Sequence, residues 1–124
     1  MASKKKEKVL IVEDDIGISD VYKEYLETEG CLSVDVAKDG KEGLAKIKAE
    51  KYDLVLLDIV MPKLDGIGVL RELKKLKSKM PVILLTNLSD RDSIEEGRKL
   101  GVKDFVVKVD ATPDNVLEKV ERYL

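Results

Sequence analysis

Tyr52-Asp-Leu-Val-Leu-Leu-Asp-Ile-Val-Met-Pro-Lys-Leu-Asp-Gly66 decides the fold. Leu54 to Leu57 form an apolar run of strand length that stops on the carboxylate of Asp58. Met61-Pro62 turns the chain, because proline fixes φ and donates no backbone N–H. Asp65-Gly66 then has the form of a helix start, the aspartate being free to accept N–H groups that the first turn leaves unpaired. A short, wholly apolar strand with a helix on either side reads as a central strand of a parallel sheet, covered on both faces. Open sheets of this kind place their chemistry at the carboxyl ends of the strands, where Asp58 lies.

Outward from that stretch the pattern repeats. Val9–Val12 is a first strand closed by Glu13-Asp14-Asp15, followed by a helix whose apolar face carries Ile18, Val21, Tyr22, Tyr25 and Leu26. Gly30 is the expected terminator. Residues 32–37 alternate polar and apolar, as an edge strand with one wetter face does. Asp39 and Glu42 have capping-box spacing ahead of Leu44 and Ile47. After the central strand comes a helix carrying Ile67, Leu70, Leu73 and Leu76 on its apolar face. Val82–Leu85 is closed by Thr86-Asn87, and Ser89-x-x-Asp92 marks the next helix, with Ile94, Gly97 and Leu100 inward and Gly101 as terminator. Phe105–Val107 is closed by Lys108, and Thr112-Pro113 opens a last helix through Val116, Leu117, Val120 and Tyr123. Five strands alternating with five helices predict an α/β domain with a doubly wound parallel sheet and right-handed crossovers.

Composition narrows the function. At 124 residues the chain is one domain, with residues 1–7 read as a basic N-terminal tail and 8–124 as the folded unit. No apolar run approaches the roughly 18 residues of a membrane span, and no signal-peptide segment follows the N-terminal lysines, so a cytoplasmic location is expected. A net charge of −2 with intermixed signs gives no nucleic-acid footprint. There is no histidine, which removes Ser-His-Asp triads, histidine metal sites and a phosphohistidine on this chain. Cys31 is alone and reads as a small, partly buried residue. Charged residues make up 39% of the chain and aromatics 4%, a balance compatible with a thermophilic source.

The polar exceptions converge. Four of the five strands close on Glu13-Asp14, Asp58, Thr86 and Lys108, and all strand C-termini of a parallel sheet share one edge. Thr86 alone would pass for a helix cap, but Asp58 has a cap-bearing helix of its own at Asp65. Carboxylates crowded at one edge repel one another, and an oxygen-only set without His or Cys suits Mg²⁺. With a lysine and a hydroxyl added, such a site suits a phosphoryl group, and the carboxylate itself can be the nucleophile.

These residues resemble the receiver domain of bacterial two-component response regulators from about Lys8 to Leu124. The likeness rests on Val12-Glu13-Asp14-Asp15, Asp58-x-x-Met61-Pro62-x-x-Asp65-Gly66, Leu85-Thr86, and Leu100-Gly101 followed by Phe105-Val106-Val107-Lys108. It implies a flavodoxin-like sheet in strand order 2-1-3-4-5 and Asp58 as phosphoacceptor, with the phosphoryl group coming from a histidine kinase or histidine phosphotransfer protein. It implies Mg²⁺ held by Asp14, Asp58 and the main-chain carbonyl of Val60, with Glu13 acting largely through water. Thr86 would bond a phosphoryl oxygen, Lys108 would pair with it, and Phe105 would be either the aromatic that swings with the threonine or plain core. The implied role is a signalling switch in a phosphorelay that passes its state to a downstream effector. It would catalyse only its own phosphorylation and dephosphorylation.

Two alternatives stand beside it. One is a degenerate receiver that is purely an interaction module. The other is a haloacid-dehalogenase-type phosphatase, which needs a second aspartate where Val60 stands. No effector domain follows Leu124, so the chain reads as a stand-alone regulator or a domain of a longer one. Val109 replaces the proline usual after the lysine. A cis bond there would cost about 3 kcal/mol, so the loop either bears that strain or takes a trans path. Asn87 beside the threonine, and Val60 without a polar side chain to orient water, predict slow loss of phosphate. Release of inorganic phosphate from labelled protein measures it, and a lifetime of seconds contradicts it.

Overall fold

The structure is a computed structural model that describes residues 6–87 and 90–124. The elements run β1 (Lys8–Val12), α1 (Ile16–Thr28), β2 (Ser33–Ala37), α2 (Gly40–Ala49), β3 (Leu54–Asp58), α3 (Gly66–Lys75), β4 (Val82–Thr86), α4 (Arg91–Lys99), β5 (Asp104–Val107) and α5 (Pro113–Tyr123), with a single 3-10 turn at Lys108–Asp110. All strands are parallel, in the order β2-β1-β3-β4-β5. This is the expected doubly wound, flavodoxin-like sheet.

The central strand is covered on both sides because its side chains alternate between two cores. Leu54 and Leu56 join Val9, Ile11, Ile83 and Leu85 beneath Tyr22 and Leu26 of α1 and Val116, Leu117 and Val120 of α5. Val55 and Leu57 join Leu10, Val12, Val82 and Leu84 beneath Ile67, Val69, Leu70 and Leu73 of α3, with Leu44, Ile47 and Ile94 at the margin. Each buried Leu, Ile or Val contributes about 1.5–3 kcal/mol. The register Val12↔Leu57 and Asp58↔Leu85 brings the strand ends to a common rim.

Three helices start as capped elements. Asp15 accepts from Ile18 N at 3.2 Å, Asp39 from Glu42 N at 2.8 Å and Asp65 from Gly68 N at 2.7 Å. Each cap is worth about 1 kcal/mol. The start expected at Ser89 falls outside the described residues; α4 instead has Asp90 at its N-cap, without a side-chain bond to the helix. Thr112 likewise makes no side-chain cap bond, although Pro113 opens α5 as expected.

Four local readings need correction. Val21, read onto the apolar face of α1, is 52% exposed. Gly30 is not the left-handed terminator of α1; that conformation falls on Cys31, at φ 54°. Gly30 is needed for space, since a Cβ there would lie 2.6 Å from Leu117 Cδ1 and 2.8 Å from Leu26 O. Cys31 is exposed, not partly buried. Leu76 lies past the last turn of α3 and is 53% exposed, because the helix stops before its apolar stripe does. Gly101 does terminate α4, at φ 91°.

Candidate functional site

The rim is assembled by strand ends. Glu13 follows β1 directly, and its N–H still donates to Ala37 O at 3.0 Å, so the ladder fixes its direction. Asp58 is the last residue of β3, and Ile59 N donates to Leu85 O at 3.2 Å. The loop beyond folds tightly back: Gly66 N donates to Ile59 O at 2.8 Å. A Cβ on Gly66 would stand 2.3 Å from Asp58 O, so only glycine allows the helix start to press against the acid.

Glu13, Asp58 and Thr86 are 1%, 3% and 1% exposed. Asp14 is exposed, and one carboxylate oxygen from each of Glu13, Asp14 and Asp58 falls within 4.8 Å of the others. Lys108 Nζ donates to Asp58 Oδ2 at 2.8 Å and lies 2.7 Å from Glu13 Oε1. That second contact is an ion pair without hydrogen-bond alignment, so Glu13 Oε1 is a buried oxygen with no hydrogen-bond partner among the described residues. The peptide bonds of the described residues are all trans. Val109 therefore takes the trans path, and Lys108 still reaches both acids.

Burial, then the hydrogen-bonding and charge of Asp58, push the Glu13 carboxyl above its ordinary range, with Lys108 pulling the other way. Asp14 is raised by desolvation and by Glu13 beside it. For Lys108, burial works to lower the ammonium's pKa, but the close contacts and charges of Asp58 and Glu13 outweigh it and the net shift is upward. Three carboxylates against one ammonium leave two negative charges uncompensated. A hard divalent cation fits this donor set: oxygen ligands, excess negative charge, and two buried carboxylates that share a single ammonium.

The other two candidates point elsewhere. Thr86 is at the rim, but its hydroxyl donates to Asn87 O at 3.0 Å, with Asp90 Oδ2 at 3.4 Å as a weaker second acceptor. Phe105 is half-buried against the β4–α4 core, with the Arg98 guanidinium 5.0 Å from its ring centroid. Val60 is 61% exposed beside the acids. Sequence spacing singles out neither Asp15 nor Asp90: Asp15 sits within an acidic run, and Asp90 stands beside the competing Ser89 start, an acid four residues after Thr86 being the signal for it.

Fold and site together define an α/β domain with a doubly wound parallel sheet whose carboxyl rim carries three acids and a lysine. The response regulator receiver domain family model matches residues 9–121. Over 123 residues the chain is 40% identical to a probable transcriptional regulator ycf27 of Porphyridium aerugineum, covering 94% of this chain and 50% of that one. The receiver domain of the Francisella response regulator 1452 superposes with a TM-score of 0.87 at 36% identity, covering 95% of this chain and 96% of that one. The BeF3-activated DrrB receiver domain superposes at 0.82 and 30% identity, covering 96% and 97%. This chain belongs to the response regulator receiver domain family, whose general features are phosphorylation and Mg²⁺ binding in two-component signalling. It spans about half the length of the curated relatives it matches.

Proposed function

We propose that residues 8–124 form a phosphorylation-dependent switch, with 1–7 as a basic tail, and that Asp58 is the phosphoacceptor. The observation that carries the reading is the Lys108 ammonium lying within 2.8 Å of both buried acids at the strand ends. A divalent ion at Glu13, Asp14, Asp58 and the Val60 carbonyl would neutralise charge on the incoming phosphoryl group. In the transfer an Asp58 oxygen attacks phosphorus while the P–N bond to the donor's imidazole breaks. The imidazole leaves with the bonding pair and an acyl phosphate remains on Asp58. Lys108 moves its contacts from the bare carboxylates to the new phosphoryl oxygens, and the Thr86 hydroxyl turns to donate to one of them. Phe105, on the strand beside Thr86, follows that turn and alters the surface of α4, β5 and α5.

The donor is a histidine kinase or histidine phosphotransfer protein, and the readout is a downstream effector protein. No direct nucleic-acid or membrane contact is assigned to this domain. A cytoplasmic setting belongs to the same proposal, and no helix among the described residues is long and apolar enough to cross a membrane. The chain catalyses only its own phosphorylation and dephosphorylation.

Incubation with acetyl phosphate and Mg²⁺, followed by intact mass measurement, tests this. One phosphoryl group is gained by the native protein and none by Asp58→Ala. A native protein that gains none from this donor or from a phosphohistidine partner would instead be an interaction module without phosphoryl chemistry.

A further inference from the structure

Asp90 stands at the N-cap of α4 but does not cap it. Asp15, Asp39 and Asp65 all accept from the amide three residues on, whereas the Asp90 carboxylate is turned back toward β4. Its Oδ2 accepts from Asn87 N at 3.1 Å and stands 3.4 Å from Thr86 Oγ1. Asp90 joins its helix through its carbonyl instead, which accepts from Ile94 N at 2.9 Å.

The hydroxyl of Thr86 has one proton to give. In the unmodified protein it faces the Asn87 carbonyl and the Asp90 carboxylate, so it is committed away from the acids. The first-turn amides of α4 meanwhile have no side-chain acceptor among the described residues, and a helix N-terminus attracts a carboxylate. We propose that Asp90 is a positioning residue for Thr86: its carboxylate, accepting from Asn87 N and standing beside the hydroxyl, keeps Thr86 turned to the Asn87 carbonyl in the unmodified protein, and moves onto the α4 N-terminus when Thr86 turns to the phosphoryl group. The inference rests on Asp58 being the phosphoacceptor. Thr86 cannot serve the Asn87 carbonyl and a phosphoryl oxygen with a single proton, so the arrangement that Asp90 holds has to give way. The phosphoryl charge also repels a carboxylate aimed at the rim, while the helix N-terminus draws it away. Occupancy of Asp58 is thereby converted into a cap for α4, so the first turn of that helix is firmer in the modified state.

The test uses beryllium trifluoride with Mg²⁺ as a phosphoryl mimic, on the native chain, Asp90→Ala and Asp90→Ser. Affinity is read by titration and the α4 first turn by amide exchange at Asp92 and Ser93. In the native chain those amides gain protection only when the mimic is bound. Asp90→Ala removes the weaker acceptor of Thr86 and the bond that holds Asn87 N, leaving the Asn87 carbonyl free to shift, so affinity rises by up to about fivefold, the worth of one modest hydrogen bond, and protection is gained in neither state. Asp90→Ser also withdraws the carboxylate from Thr86 and Asn87 but caps α4 from its own hydroxyl, so the amides are protected in both states and affinity rises at least as much. Native binding with unchanged affinity and exchange in both variants overturns the role of Asp90 and leaves Asp58 standing. Failure of the native chain to bind the mimic removes both.

Discussion

Glu13 carries a carboxylate almost without solvent, one oxygen against Lys108 and out of line for a hydrogen bond. Burial and Asp58 raise its pKa in the folded protein, so the folded chain holds that proton to higher pH than the unfolded chain. Glu13 and Asp14 therefore add stability as pH falls through their raised folded values toward 4.5 and 3.8, and withdraw it as pH rises again. Asp35 has the opposite sign: the Tyr52 hydroxyl, donating at 2.7 Å, holds it below 3.8, so its contribution is complete above that value and is lost as pH falls through the lowered folded pKa. Glu13→Gln in metal-free buffer at neutral pH should raise the thermal midpoint by a few degrees. The gain should shrink as the pH falls through the raised Glu13 value, and calorimetry across that range checks it. The same variant should bind Mg²⁺ more weakly, a site that trades stability for function.

At the scale of elements, the β3–α3 connection decides whether Asp58 is presented at all. Gly66→Ala places a methyl 2.3 Å from Asp58 O and 2.9 Å from Ile59 Cα, both backbone atoms that cannot step aside cheaply. The expected loss is about 3 kcal/mol or more by urea unfolding, with phosphoryl uptake falling in parallel. Asp65→Ala removes only a cap and should cost about 1 kcal/mol. The strands and the α3 start were legible because apolar runs and the Asp-Gly pair have local causes. Cys31, Gly30 and Leu76 were misread because their environments are set from a distance. Leu117 closes on Gly30, the chain turns at Cys31 after the helix has ended, and α3 stops short of Leu76. Where α4 begins depends on which side chain turns back to Thr86 and Asn87, a contest that spacing does not resolve.

Over the whole molecule, alternation of strand side chains between two cores makes the sheet rigid enough to hold four strand ends in register. That is why residues as far apart as Glu13 and Lys108 could be grouped from sequence: parallel strands share a carboxyl rim. Less legible was the state of that rim, since the hydroxyl of Thr86 is directed to Asn87 and Asp90, away from its expected partner. A cation bound at the acids stabilises only the folded chain, so Mg²⁺ at one hundred times its dissociation constant should add about 2.7 kcal/mol. That gain appears as a rise in thermal midpoint, which Asp14→Asn should abolish. The most direct test of the central claim is reductive trapping with borohydride after exposure to acetyl phosphate and Mg²⁺, followed by peptide mass mapping. An acyl phosphate on Asp58 would be reduced there to homoserine, and the account predicts that change at residue 58 alone. Homoserine at another acid, or an unchanged Asp58 in protein that has gained a phosphoryl group, would contradict it.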